Sequence, residues 1–409
     1  MSLTGRSKLR VLYIAYWGAS EPLGRSLVLP AVKRLAALGA ELTLVTFEKP
    51  ADLGRREVIE EIRASLNRHG VRWIPLRYHK RPKVPATAFD LIQGVARGIA
   101  VRLRARPDII HARTFIGGLI GYALASLVRA KLIYHNEGFY PDEQVDSGVW
   151  PQGSRPHLIA KALEQRMYAR ADGIIALSHR AKQVIGSLPE VQREGTPIIV
   201  VPSCVDLSHF RWEPSKPIIE KDMLRFIYIG SVGKRYILDR VGRFMAVALQ
   251  EGKRARLRVL TQSEPLLVNS MLSASGLSTD AWSVDSVPYA AMPEQLVTHD
   301  AGFFFLTQGI SEHGCSPTKI GEYWAVGLPV ISTPNVSDTD EIIKRERVGV
   351  IVREHSDGAY RRAIGELTSL LGDEELSRRC RRAAETYYAL EPACERQVAL
   401  YNEVTSRAS

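Results

Sequence analysis

A chain of 409 residues with 45% hydrophobic and 24% charged residues can build two domains or more, each with a sizeable core. No apolar run approaches the roughly 20 residues of a membrane span, and MSLTGRSKLR leads straight into a strand of about seven residues, too short for a secretory leader, so a cytoplasmic protein is expected. The net charge of +11 suits an anionic partner, nucleotide or lipid phosphate before nucleic acid, because no aromatic residues interleave with basic runs.

In chain order, Arg10–Trp17 reads as a buried strand, followed by the loop Gly18–Gly24, a helix over 23–38 stopped by Gly39, and a strand over Glu41–Phe47. The opening is Rossmann-like, but GASEPLG is not GxGxxG, so a dinucleotide fingerprint is absent. Gly18 and Gly24 still permit a ligand to approach the backbone closely. A helix over 55–69, a strand over 71–76 and a loop over Pro82–Pro85 come next. Ala86–Arg106 is then a helix rich in arginine at its end: Arg97, Arg102, Arg104 and Arg106. It is either a patch for anionic lipid headgroups or a solvated face with favourable C-terminal cations, the plainer reading. DIIHA (108–112), 131–135, 173–177 and 197–201 are strands, with helices over 115–129, 156–170 and 179–187. The polar segment NEGFYPDEQVDSG (136–148) reads as a mobile loop whose Asp142, Glu143 and Asp146 are solvated. Residues 1–208 thus make one α/β domain with a mainly parallel sheet.

Pro214 and Pro217 mark a linker over 211–222. A second α/β unit follows over 222–391, with strands at 225–229, 256–260, 282–287, 302–306, 328–332 and 348–352. After Asp357 the chain is helical, with Pro392 separating the last helix, 392–409, from the one before. The expected fold class is therefore α/β: two Rossmann-like domains facing a cleft, where such folds bind ligands.

The polar residues of 300–333, DAGFFFLTQGISEHGCSPTKIGEYWAVGLPVIST, are the most informative. Ser316 reads as an N-cap, Pro317 as the first helical residue, and Gly327 as the stop. Thr318 and Lys319 in the first turn can add donors to a phosphate held at the helix start. Glu322 shares their face, roughly 6 Å along the axis, where it could accept the hydroxyls of a ribose. The alternative is an exposed Lys319–Glu322 pair on an ordinary helix, and spacing alone leaves the two readings even.

Other candidates are weaker. GSVGKRY (230–236) offers Gly230, Ser231, Lys234 and Arg235 to a phosphate, but lacks the Ser or Thr of a Walker A loop, so ATPase chemistry is disfavoured. Asp338-Thr339-Asp340 looks like a DxD metal motif, but it opens a helix, so capping is the better reading and no metal site is expected. Cys204, Cys315, Cys380 and Cys394 form no CxxC pair and read as inert thiols. His135, at the end of its strand with Glu137 two residues on, could act as a base or hydrogen-bond a reacting oxygen. His111 and Glu137 share the alternative of being satisfied core groups.

SPTKIGEYWAVGLPVI (316–331) resembles the donor-site signature of glycosyltransferase family 4, whose members have the GT-B fold. PDIIHARTFIGGLIG (107–121), KLIYHNEGFYPDE (131–143), RMYARADGIIALS (166–178), IIVVPSCVDLSHF (198–210) and FIYIGS (226–231) resemble further family blocks, in the family's order. The resemblance implies an acceptor-binding first domain with the last helix crossing back onto it, and a second domain that binds a nucleotide-sugar donor, UDP- or GDP-linked. It implies that Glu322 holds the ribose, that residues 316–319 hold phosphate, that His135 is the active-site histidine, and that transfer retains configuration without a metal or other cofactor. Against the family pattern, Gly314 stands where a first glutamate is usual, with Glu312 as a substitute, and Ser231 replaces an arginine, with Lys234 or Arg235 as substitutes. The resemblance therefore implies a retaining, hexosyl-type transferase acting on a glycan, lipid-linked or small-molecule acceptor; the lipid reading of the arginine-rich helix would add peripheral contact with the inner face of an anionic membrane. The rivals are a nucleotide-sugar epimerase of the same fold and a catalytically inactive sugar-nucleotide-binding protein.

Overall fold

The computed structural model describes residues 8–213, 223–233 and 235–407. Most of the 211–222 linker, and Lys234, lie outside them. By internal contacts the chain divides into two compact units: 1–141, 152–202 and 390–409 form the first, and 142–151 and 203–389 the second.

The first unit is built on seven strands: β1 (Arg10–Ala15), β2 (Glu41–Glu48), β3 (Arg72–Arg77), β4 (Ile109–Arg113), β5 (Lys131–His135), β6 (Gly173–Ala176) and β7 (Ile198–Val200). They pair in the order β3-β2-β1-β4-β5-β6-β7, every pairing parallel. β1 and β4 are buried almost throughout, so helices must cover both faces, and continuous apolar runs such as VLYIA follow from that. The last helix, Leu390–Ser406, belongs to this unit: a Cβ at Gly173 would meet Leu400 and Val404 at 3.1 Å. It begins two residues before Pro392, which sits in the first turn, where a missing N–H costs nothing.

The second unit has six strands: β8 (Leu224–Ile229), β9 (Ala255–Leu260), β10 (Trp282–Asp285), β11 (Ala301–Phe304), β12 (Val330–Ser332) and β13 (Gly349–Ile351). Their order, β10-β9-β8-β11-β12-β13, is again wholly parallel. Both sheets follow the Rossmann order outward from their first strand, so each has a switch point, between β1 and β4 and between β8 and β11. Loops that leave neighbouring strands in opposite directions open a crevice there.

Three local readings change. Residues 140–146, expected as a mobile loop, form a helix, and its acidic residues belong to the second unit rather than to the first domain. The loop Pro82–Pro85 is absorbed into a 23-residue helix, Lys83–Ala105. The helix after the first loop begins with a π turn, Gly24–Val28.

Candidate functional site

Helix Thr318–Ala325 is fixed from below. Ile320, Tyr323 and Trp324 are fully buried, and the Trp324 indole donates to the Val348 carbonyl at 3.0 Å. Gly302 on β11 admits the Tyr323 ring, because a Cβ there would lie 2.6 Å from it. Gly327, at φ +77°, ends the helix as expected. The start differs: Pro317 is the N-cap and Thr318 the first helical residue. Ser316 does not cap; its hydroxyl instead accepts the Ser203 amide at 3.0 Å. The Ile320 amide donates to the Pro317 carbonyl at 3.3 Å, and the amides of Thr318 and Lys319 ahead of it lie at the helix's positive end, available to an anion.

Glu322 is 6% exposed, and among the described residues its carboxylate has neither a hydrogen-bond partner nor an ion pair. The exposed Lys319–Glu322 pair is therefore not what forms. Burial, opposed only by the Lys319 charge, pushes the Glu322 carboxyl up to about 7. Lys319 extends over Gly230: a Cβ at that glycine, whose φ is +129°, would lie 3.3 Å from Lys319 Cε. Gly230 and Ser231 thus follow β8, and Thr318, Lys319 and Glu322 lie on the helix that follows β11, at the switch point of the second sheet. Ser231 is exposed there.

Arg235 and Glu312 stand apart from that group in character. Arg235 donates to Glu312 at 2.6 Å and lies 3.1 Å from Glu143, and Glu312 is fully buried. Burial would lower the guanidinium's pKa, but Glu143 and Glu312 raise it above its usual value. The pair neutralises both charges, while Arg235 Nε and Glu312 Oε2 keep no hydrogen-bond partner. Glu143 and Asp146, read above as solvated, are both engaged: Asp146 accepts the Ser311 amide at 3.0 Å and its hydroxyl at 2.6 Å. Together they tie segment 142–151 to the loop before helix 318–325.

Asp340 accepts the amide of Asn335, whose φ is +63°, so the DTD triplet stabilises a turn. No group of three or more His, Cys, Asp and Glu among the described residues could hold a metal ion. None of the four cysteines is in a disulfide, and burial pushes the Cys315 thiol up to about 12. Gly18 has an internal reason to be glycine: a Cβ there would lie 2.8 Å from Glu48 Oε2. The buried Glu48 carboxylate accepts the Ala19 amide at 2.6 Å, the Ser20 hydroxyl at 2.7 Å and the Thr46 hydroxyl at 2.6 Å.

In the first unit His135 is the middle of a buried chain. Tyr401 Oη lies 2.5 Å from His111 Nδ1, and His111 Nε2 lies 3.0 Å from His135 Nδ1. His135 Nε2 is 3.3 Å from Glu137 Oε1, off the line of a good hydrogen bond and with no other partner. Glu137 accepts from Arg113 Nε at 2.5 Å, and Arg113 Nη1 donates to the Tyr13 hydroxyl at 3.3 Å. Burial, with Arg113 nearby, holds both histidines well below their usual pKa, so both are neutral. Burial raises the Glu137 carboxyl, and Arg113 opposes that rise without cancelling it.

These contacts set the tautomers. A lone pair on His135 Nε2 would face the Glu137 oxygen, acceptor against acceptor, so Nε2 carries the proton. His135 Nδ1 must then accept from His111 Nε2–H, and His111 Nδ1 from the Tyr401 hydroxyl. Every proton points one way, and the chain ends on an N–H with spare donating capacity. His135 is thereby arranged as a hydrogen-bond donor, not as a base. Thr114, one residue past β4, adds local strain beside it: its φ is +75° and its amide donates to the His135 carbonyl at 3.2 Å.

Residues 27–209 match the family model described as Glycosyltransferase Family 4. Over these residues, somewhat under half of the chain, the sequence is similar to glycosyltransferase family 4. The match ends before the FIYIGS and SPTKIGEYWAVGLPVI blocks. The GT-B fold is shown by solved structures spanning nearly the whole chain. Sucrose-phosphate synthase from Thermosynechococcus elongatus superposes with a TM-score of 0.75 at 15% identity, covering 98% of this chain and 100% of its own. HepE from Anabaena, in complex with UDP and glucose, gives 0.64 at 14% identity, covering 97% of this chain and 100% of its own. WaaG, a glycosyltransferase involved in lipopolysaccharide biosynthesis, gives 0.63 at 14% identity, covering 94% and 98%. No curated protein matches by sequence.

Sequence reasoning overlooked Arg113, Tyr13 and Tyr401, which complete the chain around His135. It also overlooked Tyr289, whose hydroxyl pKa rises through burial and then the Glu322 charge. Only the RTF that follows DIIHA hinted at Arg113, as a cation at the end of an apolar strand.

Proposed function

We propose that the protein transfers a sugar from a nucleoside diphosphate, UDP- or GDP-linked, to an acceptor hydroxyl on a glycan, a lipid-linked sugar or a small molecule, with retention of anomeric configuration. The carrying observation is Glu322: a buried carboxylate without a protein partner, on the same helix face as a first turn open to phosphate. A buried acceptor left empty costs stability unless a ligand fills it, and two ribose hydroxyls would. The first turn, with Thr318 and Lys319, takes the diphosphate; the backbone at Gly230 and Ser231 lies beside it. The second unit is then the donor domain and the first the acceptor domain. That HepE was solved with UDP and with UDP-glucose supports the donor class.

In the proposed step the bond between the anomeric carbon and the leaving phosphate oxygen breaks as the acceptor oxygen bonds that carbon on the same face. The acceptor proton passes to the departing diphosphate, so neither a metal nor a side-chain nucleophile is required. His135 donates its Nε2 proton as a hydrogen bond to a sugar oxygen, and Glu137 orients it. Arg235 and Glu312 hold the donor loop in shape, and Lys234 lies outside the described residues. Release of nucleoside diphosphate from UDP- and GDP-hexoses, with the product's anomeric configuration read by NMR, tests the reading. Tight nucleotide binding with no release across donors and acceptors would overturn it in favour of an inactive binding protein.

A further inference from the structure

Helix Lys83–Ala105 is apolar on both sides, and in the reverse of the usual sense. Its inward face carries Ala86, Asp90, Gly94, Gly98 and Val101. The glycines let it press onto helix Phe115–Leu127, since a Cβ at Gly94 would lie 2.6 Å from Ile120 and one at Gly98 2.3 Å from Leu124. Asp90 is satisfied by the Tyr16 hydroxyl at 2.8 Å and His79 Nδ1 at 2.6 Å. The large side chains face outward: Val84 is 78% exposed, Phe89 54%, Ile92 68% and Leu103 78%, with Ile99 between the last two. By helical spacing Val84, Ile92, Ile99 and Leu103 form one stripe within roughly 100° of arc. The 23-residue helix is about 35 Å long, and the stripe runs nearly its whole length.

Folding does not account for this stripe, because none of it enters the core. Contiguous exposed apolar surface of this kind marks a docking face. Its charge names the occupant. By the same spacing Arg102 lies at the edge of the stripe in line with Val84, Arg97 and Arg104, two turns apart and both exposed, lie on the flank roughly 100° beyond its other edge, and Arg106 caps the end. Lys80, Arg81 and Lys83 are exposed at the opposite end. The one acidic residue of the helix, Asp90, faces inward. An apolar stripe on a helix whose every charge outside the buried face is a cation fits an interface of hydrocarbon and negative charge. No helix among the described residues is long and apolar enough to cross a membrane.

We propose that helix Lys83–Ala105 lies in the surface of an anionic lipid bilayer, with Val84, Phe89, Ile92, Ile99 and Leu103 entering the headgroup boundary and the flanking arginines on lipid phosphates. The peripheral contact thus rests on the outward apolar stripe; the arginines alone would also suit a solvated face. It is independent of the transferase reading, since binding is read without turnover.

The test is co-sedimentation of the full chain with phosphatidylcholine vesicles, with and without phosphatidylglycerol, at low and high salt. The wild type binds the anionic vesicles, more weakly at high salt. Ile92→Glu/Leu103→Glu, with a circular dichroism melt matching the wild type, loses roughly tenfold or more of that partitioning. Arg97→Gln/Arg104→Gln loses the salt-sensitive part. Absence of wild-type binding to anionic vesicles, or binding indifferent to Ile92→Glu/Leu103→Glu, overturns the proposal. So does a dimer that Ile92→Glu/Leu103→Glu converts to a monomer, because the stripe would then cover a second copy.

Discussion

Each unit buries glutamates near its switch point, and the two units treat them differently. In the first, Glu137 is held by Arg113 and faces the His135 N–H, and the chain continues through His111 to Tyr401. In the second, Glu312 is held by Arg235, while Glu322, buried almost as deeply, has no partner. Pairing with an arginine neutralises Glu137 and Glu312 and fixes their geometry, although His135 Nε2, Arg235 Nε and Glu312 Oε2 keep no hydrogen-bond partner. An unsatisfied buried carboxylate stores a free-energy cost that a ligand can relieve. On the proposed function, Glu137 and Glu312 are scaffold and Glu322 is the contact left open for the donor.

The largest effect should come from breaking a scaffold pair. Arg235→Ala leaves Glu312 buried without its cation, and removing one partner of such a pair costs about 3–5 kcal/mol. Urea unfolding reads it; a loss below about 1 kcal/mol would mean that the pair is not a structural element. Glu322 should respond in the opposite sense. Its folded pKa, about 7, stands above the 4.5 of an ordinary glutamate, so folding retains a proton and the wild type loses stability as pH rises between those values. The span corresponds to about 3 kcal/mol. Glu322→Gln lacks that loss and should be more stable than wild type at pH 8, with the difference vanishing near pH 4. Equal stability at both would mean that the carboxylate is solvated. The smallest effect belongs to Tyr401→Phe, which leaves His111 Nδ1 without its donor at a cost of about 1–2 kcal/mol. In the wild type, 15N shifts should show His135 protonated at Nε2; Tyr401→Phe should mix the two tautomers. A wild-type His135 protonated at Nδ1 would reverse the proton order of the chain.

The two parallel sheets were legible because apolar strand runs alternate with helical patterns; VLYIA and FIYIG state their burial outright. Gly327 was legible because a helix that must turn sharply needs a residue tolerant of positive φ. The start of the same helix was misread, since Ser316-Pro317 carries the local signal of an N-cap while Ser316 serves Ser203 in another loop. What the sequence could not show is pairing at a distance. Tyr401 and His111 are 290 residues apart, Arg235 and Glu312 are 77, and neither pair shares a local pattern. Asp146 and Ser311, 165 apart, explain why the polar 142–151 segment is ordered and belongs to the second unit. The outward apolar stripe of helix 83–105 was hidden for a related reason: a helix with small residues inside and large ones outside has the periodicity of any amphipathic helix, and only packing reveals which side is which.

The central claim is that Glu322 is open because a nucleotide's ribose closes it. Calorimetric titration of UDP and GDP into wild type and Glu322→Ala tests this most directly. Loss of hydrogen bonds to a charged acceptor predicts an affinity lower by roughly tenfold to a hundredfold, with no loss of melting temperature. Undiminished binding of both nucleotides by Glu322→Ala would contradict it.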